Sequence, residues 1–213
     1  MKLRSAVLLA AAATLASTAA LAQDAPKLEV WGDYSYMYFT PQNNDYIKSF
    51  ALNGGGGGFA AYLTKYIGIE GEFEGYGSYD HSVTVPPPYC NGAGCSIIAS
   101  GNLFTYNVGP IVKWRTPHFE PFVETMFGGA HSNLYGNLYQ HCTTAECVVA
   151  SKTPSNNAFD FIIGGGLDVP LTHSFAVRPA QFDYILTRFG NDFTHGNNNQ
   201  SNFRFQAGIE FRM

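Results

Sequence analysis

The chain has 213 residues, with 13% charged and 15% aromatic side chains, and its mean hydropathy is −0.07. A length near 200 residues suits one domain. The net charge of −4 with scattered Lys and Arg argues against nucleic acid as a partner. Frequent Gly, Tyr and Phe with few charges are typical of an all-β membrane barrel, in which half of the strand residues are polar.

The N-terminus has the pattern of a cleaved secretory signal peptide. Lys2 and Arg4 precede an apolar run at residues 6–16, and Ala20-Leu21-Ala22 is a small-x-small cleavage site. We therefore predict a signal peptide at residues 1–22 and a barrel domain at residues 23–213, whose net charge would be −6. No later stretch reaches the roughly 18 apolar residues of a membrane helix.

Eight segments alternate apolar and polar side chains with period two, which predicts β-strands. In the first, Val30 and Tyr34 alternate with Trp31 and Asp33. The predicted strands are residues 28–39, 50–63, 67–79, 103–114, 119–133, 158–169, 175–189 and 202–213.

The closing segment alternates without error. One face consists of Phe203, Phe205, Ala207, Ile209, Phe211 and Met213, and the other of Asn202, Arg204, Gln206, Gly208, Glu210 and Arg212. A lipid-facing apolar surface opposite a polar lumen is the pattern of a transmembrane barrel strand.

The connections between the segments are alternately long and short, as in outer-membrane barrels with long external loops and short periplasmic turns. The sequence therefore predicts an all-β fold: an eight-stranded antiparallel up-and-down transmembrane β-barrel. A soluble lipocalin-like barrel is the alternative, and it would point its apolar side chains inward.

Several segments resemble the small OmpA-like or opacity-type outer-membrane barrels. They are residues 30–36, residues 164–168, Arg178-Pro179, Asp183-Tyr184 and the closing strand, although that strand ends in Met213 where the family usually has Phe. The resemblance implies the outer membrane of a Gram-negative-type bacterium, outer-membrane lipid as surroundings, insertion by the barrel-assembly machinery and a monomer. It also implies a barrel without the peptidoglycan-binding domain of OmpA.

Charged residues on the polar faces are predicted to form a structural ion-pair network in the lumen, because unpaired buried charges are costly. An ion pathway or proton relay is the alternative. The predicted network is Glu29, Asp33, Glu70, Glu72, Glu74, Lys113, Asp160, Asp168, Arg178, Asp183, Arg204, Glu210 and Arg212.

The seventh segment breaks the alternation. Arg178 differs in parity from Gln181 and Asp183, so a regular strand would send one of them to lipid. A β-bulge shifts parity by one residue, and Pro is tolerated there. We predict a bulge near Pro179-Ala180.

Four cysteines fall in two long connections. In an exported protein an even number suggests disulfides, and we predict Cys90–Cys95 and Cys142–Cys147. A four-thiolate zinc site is a less favoured alternative, so no metal is expected.

We expect no catalytic site and no cofactor. His131-Ser132 and His173-Ser174 invite comparison with lipid-trimming barrel enzymes, but neither has a recognisable triad spacing. Gly54–Gly58 lacks the Lys and the helix of a phosphate loop. It is expected to relieve crowding against bulky neighbours such as Trp31.

Tyr34, Tyr36, Tyr38, Tyr62, Tyr66, Tyr106 and Trp114 are predicted interface residues. The predicted function is an outer-membrane barrel with a structural or surface-interaction role, a lumen filled by polar side chains and long external loops open to a surface ligand. The alternatives are a narrow ion or small-solute pore, a soluble periplasmic binding barrel and a lipid-modifying enzyme.

Overall fold

The computed structural model describes residues 26–40, 49–77, 81–85, 95–99, 102–132, 156–188 and 199–213. These residues form ten strands: β1 (Leu28–Phe39), β2 (Phe50–Tyr62), β3 (Ile67–Gly77), β4 (His81–Val85), β5 (Cys95–Ala99), β6 (Asn102–Lys113), β7 (Glu120–Ser132), β8 (Asn156–Thr172), β9 (Phe175–Arg188) and β10 (Asn199–Arg212). This part of the chain has no helix long and apolar enough to cross a membrane.

Eight of the strands close into one antiparallel barrel in the order β1-β10-β9-β8-β7-β6-β3-β2. Every strand pairs with its neighbour along the barrel, and β1 closes the ring on β10 through ten residue pairs from Glu29↔Arg212 to Tyr38↔Phe203. The predicted eight-stranded barrel is therefore confirmed. We call the end with connections 40–49, 78–101, 133–155 and 189–198 the long-loop end, and the opposite end the turn end.

The strand limits differ modestly from the prediction. The largest extension is in β8, which begins at Asn156 and continues to Thr172. The long connection after β3 also contains a separate hairpin, in which β4 pairs with β5 from His81↔Ala99 to Val85↔Cys95. This hairpin was not among the predicted strands, although its segments His-Ser-Val-Thr-Val and Cys-Ser-Ile-Ile-Ala are rich in β-branched residues.

The two faces of the barrel have opposite chemistry. Large apolar side chains cover the outside, and Phe73, Phe203 and Phe211 are each more than half exposed. Charged side chains such as Glu70, Lys113 and Arg204 lie buried inside. A soluble barrel requires the inverse arrangement, so the described strands exclude the lipocalin-like alternative.

The predicted β-bulge in β9 is confirmed. Residue pairing with β10 skips from Gln206↔Gln181 to Gly208↔Arg178, and pairing with β8 is also shifted at the same place. Pro179 is exposed between the buried side chains of Arg178 and Gln181. The extra residue lets both polar side chains enter the lumen.

The glycine run of β2 makes room for side chains inside the barrel, as expected. A Cβ atom on Gly58 would lie 2.5 Å from Cζ2 of Trp31, and one on Gly54 would lie 2.8 Å from Cδ1 of Tyr76. Such distances are too short for two carbon atoms. Larger residues at these positions would press on the aromatic rings and also on the backbone oxygens of Gly71 and Gly75 in β3.

Candidate functional site in the barrel interior

A compact ion-pair cluster occupies the interior towards the turn end. Lys113 at the end of β6 lies 2.5 Å from Glu29, 2.6 Å from Asp168 and 3.1 Å from Glu210. All four side chains have no exposed surface. The single ammonium group therefore joins three strands that are distant in sequence, and three carboxylates share its charge.

Arg178 extends this cluster through the β9 bulge. Its guanidinium donates to Asp168 at 2.8 and 3.2 Å, to Glu210 at 3.2 Å and to the amide oxygen of Gln181 at 2.9 Å. The same guanidinium lies 4.8 Å from the ring centroid of Trp31 and 4.3 Å from that of Phe122. Hydrogen bonds and cation–π contacts together hold this buried cation.

A second cluster is centred on Arg204 of β10. Its guanidinium donates to Asp183 at 2.7 Å and to both carboxylate oxygens of Glu72, one of them at 3.1 Å. Gln206 donates to Glu72 and to the half-buried Asp33, both at 3.4 Å. Planar guanidinium groups suit this paired recognition of carboxylates.

Gln181 connects the two clusters. Its amide nitrogen donates to Glu124 at 2.9 Å and to Asp183 at 3.2 Å, while its amide oxygen accepts from Arg178. An amide can serve both clusters because it has donors and an acceptor. The hydrogen-bonded network is thereby continuous from the turn end to the middle of the barrel.

The turn end of the interior is closed by two further arginines. Arg115 lies 2.5 Å from Glu29 and 3.1 Å from Glu120, and Arg212 lies 2.9 Å from Glu120 and 2.7 Å from Glu210. Burial by itself would lower the pKa of Arg115, which lies in the turn after β6. The charge and hydrogen bond of Glu29, together with Tyr62 and Glu120, outweigh burial and raise that pKa above its ordinary value.

Carboxylates outnumber cations in the described interior. Ten Asp and Glu side chains are buried, against four Lys and Arg side chains. No donor from the described residues reaches the carboxylate oxygens of Glu70 or Glu74. An additional cationic side chain would therefore find acceptors inside the barrel.

The interior is only partly polar, which corrects the prediction of a lumen filled by polar side chains. Towards the long-loop end, inward side chains form an apolar plug consisting of Met37, Phe39, Leu52, Tyr76, Leu103, Met126, Ala130, Ala158, Ile162 and Ile185. Parity could not reveal this, because inward apolar residues such as Met37 and Ile185 occur in segments whose outward residues are apolar too.

A smaller apolar cluster packs beside the turn-end ion pairs and consists of Trp31, Ala60, Tyr62, Ile111 and Phe122. Tyr62 was predicted to lie at the membrane interface, and this prediction was wrong. The Tyr62 side chain is buried, and the Arg115 guanidinium lies 4.4 Å from its ring centroid. Tyr62 is two residues from the inward Ala60 in β2, so both side chains point to the interior. The prediction did not take this alternation into account.

The structure places all thirteen predicted network residues on the inner side. Twelve are buried and Asp33 is half-buried. The prediction missed Glu120, Glu124 and Arg115. In β7 the inward positions alternate between Glu and the apolar Phe122 and Met126, so the sequence of this strand shows no polar face. Arg115 lies in a turn, where the alternation of a strand does not apply.

The remaining candidate residues are not brought together. His131 at the long-loop end bonds to Asn157 at 2.8 Å, whereas His173 lies in a turn at the other end. Cys90, Cys142 and Cys147 lie outside the described residues, as does the side chain of Cys95. Within the described ranges no group of three or more His, Cys, Asp or Glu could hold a metal ion.

Comparison with known proteins agrees with this architecture. Residues 8–211 match the family described as outer membrane protein beta-barrel domain. No curated protein matches significantly in sequence.

Solved structures with the same fold include three outer-membrane barrels. Neisserial surface protein A has a TM-score of 0.60 at 9% identity and covers 88% of this chain and 97% of its own. The attachment invasion locus protein Ail of Yersinia pestis has a TM-score of 0.51 at 12% identity, with coverages of 89% and 99%. OprG of Pseudomonas aeruginosa has a TM-score of 0.50 at 11% identity, with coverages of 90% and 98%.

Proposed function

Because the chain belongs to the outer-membrane β-barrel domain family and resides in the outer membrane, we propose that it is a non-conducting barrel that presents its long loops to a surface ligand. It is a monomer inserted by the barrel-assembly machinery after loss of residues 1–22. The proposal includes no catalytic step and no cofactor.

The observation that carries the proposal is the apolar plug. At the long-loop end the interior is packed with side chains such as Leu52, Met126 and Ile185, each with no exposed surface. Below the plug, Lys113, Arg178 and Arg204 are bound by carboxylates rather than facing open water. A hydrated ion would have to displace the packed apolar side chains and break the ion pairs below them.

The four connections at the long-loop end are the ligand-presenting part in this proposal. The connection 133–155 is 23 residues long and contains Cys142 and Cys147, and the connection 78–101 contains Cys90 and Cys95. Loops longer than about 15 residues are uncommon in compact domains, and binding loops are one of the classes in which they occur. Disulfides at Cys90–Cys95 and Cys142–Cys147 would reduce the number of loop conformations and thus the entropy lost on binding.

A barrel of this fold can bind a ligand, since Ail of Yersinia pestis has been crystallised in complex with the heparin analogue sucrose octasulfate. The loops of the present chain have a different charge. The four connections contain four acidic residues, Asp45, Asp80, Glu146 and Asp192, against two lysines, Lys48 and Lys152, no arginine and three histidines. We therefore propose an uncharged or weakly basic surface ligand rather than a sulfated polyanion.

The proposal is tested by exchanging a loop while keeping the barrel. Residues 134–155 are replaced by a short Gly-Ser linker, and cells displaying either form are applied to surfaces coated with an uncharged polysaccharide, a weakly basic protein or heparin. Folding of both forms is checked by the mobility shift between unboiled and boiled samples. Wild-type cells should adhere to the uncharged or the weakly basic surface more than loop-exchanged cells and should not adhere to heparin. Equal adhesion of the two forms, at the level of barrel-free cells, would refute loop display.

A further inference from the structure

The middle of the barrel interior has more carboxyl groups than its cations can pair. Asp33 brings the ten buried carboxyl groups of the described interior to eleven, and Arg115 brings the four buried cations to five. The side chains of Glu70 and Glu74 are fully buried, yet no donor among the described residues reaches either carboxyl group. Something other than a side-chain cation must therefore compensate these two groups.

Glu74 faces another carboxyl group across a glycine. Asp33 of β1 pairs with Gly56 of β2, and Gly56 pairs with Glu74 of β3. Because Gly56 has no side chain, the carboxyl groups of Asp33 and Glu74 meet over it within hydrogen-bonding range. A Cβ atom on Gly56 would lie 2.5 Å from Oε1 of Glu74. Asp33 accepts a hydrogen bond from Gln206 at 3.4 Å, whereas Glu74 accepts none from the described residues.

Glu70 has the same arrangement with Glu124. Glu70 of β3 pairs with Gly109 of β6, and Glu124 lies on the next strand, β7, opposite Ile111. Gly109 also has no side chain, so the Glu70 carboxyl group reaches that of Glu124. Glu124 accepts a hydrogen bond from Gln181 at 2.9 Å. In each pair, one carboxyl group thus has an amide donor and the other has none.

Two ionised carboxylates cannot bond to each other, because each can only accept hydrogen bonds, and their charges repel in a buried site. One proton on each pair removes the repulsion and supplies the missing donor. Protonated Glu70 can donate to Glu124, and protonated Glu74 can donate to Asp33. The charged and titratable groups that surround the two pairs are Glu72 and Tyr76 of β3, Lys113 of β6, Arg178 and Asp183 of β9, and Arg204 of β10.

These neighbouring cations are already bound by other carboxylates. Lys113 and Arg178 contact Asp168 and Glu210, and Arg204 contacts Glu72 and Asp183. Among the residues that the structure describes, no set of three or more carboxyl groups is arranged to hold a metal ion. Both observations favour the proton as the compensating cation.

We propose that the folded barrel binds two protons at neutral pH, one between Glu70 and Glu124 and one between Glu74 and Asp33. The unfolded chain does not hold them, because its carboxyl groups are ionised above about pH 5. The folded state therefore binds more protons than the unfolded state, and the stability of the barrel falls as the pH rises. This property is independent of the loops and of any surface ligand.

Urea unfolding in lipid vesicles between about pH 6 and pH 8 counts the bound protons, since each one raises the unfolding equilibrium constant about tenfold per pH unit. The wild type should show an increase of about a hundredfold per unit. Glu70→Gln should reduce it to about tenfold, because an amide donates to Glu124 without binding a proton. Glu74→Gln should do the same beside Asp33, and the double variant should be almost independent of pH.

Glu120→Gln is the matched control, because Glu120 is buried but bound by Arg115 and Arg212. It should be less stable at every pH and keep the pH dependence of the wild type. Infrared spectra near neutral pH give a second readout. The folded wild type should show the C=O band of protonated carboxyl groups, and the double variant should lose it. If Glu70→Gln does not fold, Glu124→Gln places the amide on the other member of the same pair.

The proposal is overturned if the stability of the wild type does not fall over this pH range, or if the Glu70 and Glu74 variants keep its full pH dependence. It is also overturned if the folded wild type has no infrared band of protonated carboxyl groups and is stabilised by sodium chloride but not by the chloride of a large organic cation. That result would show a metal cation between the carboxylates in place of the protons.

Discussion

Arg178 donates two hydrogen bonds to Asp168, at 2.8 and 3.2 Å, between the adjacent strands β9 and β8. Arg178 is 1% exposed and Asp168 is fully buried. The pair is possible only because the bulge at Pro179-Ala180 turns Arg178 inward while Gln181 stays inward as well. A local irregularity of one strand thus brings the charge of Arg178 into the interior beside Asp168.

We first predict that Arg178→Leu lowers the free energy of unfolding by about 3–5 kcal/mol, because it leaves the buried carboxylates of Asp168 and Glu210 with less compensating charge. Urea unfolding in lipid vesicles, followed by the gel mobility shift, measures the change. The double variant Arg178→Leu with Asp168→Asn should recover part of the loss. If Arg178→Leu were as stable as the wild type, the Arg178–Asp168 pair would not contribute to the stability of the barrel.

A second prediction concerns the glycine run. Gly58→Ala should cost roughly 1–3 kcal/mol, since the new Cβ would collide with the backbone oxygen of Gly71 and with the Trp31 ring that packs on Arg178. Gly77→Ala is the matched control in the next strand, because a Cβ there meets nothing within 4 Å. Gly77→Ala should change stability by less than about 0.5 kcal/mol. Equal losses for both variants would contradict the packing argument.

A third prediction tests the two faces of β10. Ile209→Arg should impair insertion, because Ile209 is 47% exposed to lipid and an Arg near the midplane costs roughly 2–4 kcal/mol. Gln206→Arg should be milder, since this side chain is buried beside Glu72 in an interior with excess carboxylates. Insertion yield into vesicles distinguishes the two. If Gln206→Arg failed to insert while Ile209→Arg inserted like the wild type, Gln206 would face lipid and Ile209 the interior, contrary to this assignment.

A fourth prediction concerns the cysteines of the long connections. Mass spectrometry of non-reduced peptides should show Cys90 joined to Cys95 and Cys142 joined to Cys147. Each bond closes a small ring and should stabilise its loop by roughly 2–3 kcal/mol at most. Reduction should therefore leave the unfolding of the barrel almost unchanged. A peptide joining Cys90 to Cys142 or Cys147 would contradict this pairing.

The sequence predicted the barrel well because lipid imposes period-two alternation on every strand. It even located the bulge, since Arg178 and Asp183 could not both be lumenal in a regular strand. The plug was not predictable in the same way. Where inward and outward residues are both apolar, as with Met126 and Phe127 in β7, the alternation disappears and only the three-dimensional structure shows which side is the interior.

Ion-pair partners were predictable as a set but not individually. Glu29 and Lys113 are 84 residues apart in sequence, and their contact depends on the shear of the closed barrel. Glu124 was missed because its inward neighbours in β7 are Phe122 and Met126. Single-strand parity assigns a side chain to a face, but it does not give its height relative to side chains of other strands.

Conductance across a planar lipid bilayer shows whether the interior of the barrel is closed. Purified wild-type protein, shown to be folded by its mobility shift, should produce no stable single-channel currents. The comparison is the triple variant Leu52→Ser, Met126→Ser and Ile185→Ser. It removes much of the apolar plug and should raise the current. Stable, discrete currents from the wild-type barrel would show that the interior is open and that the protein is a pore.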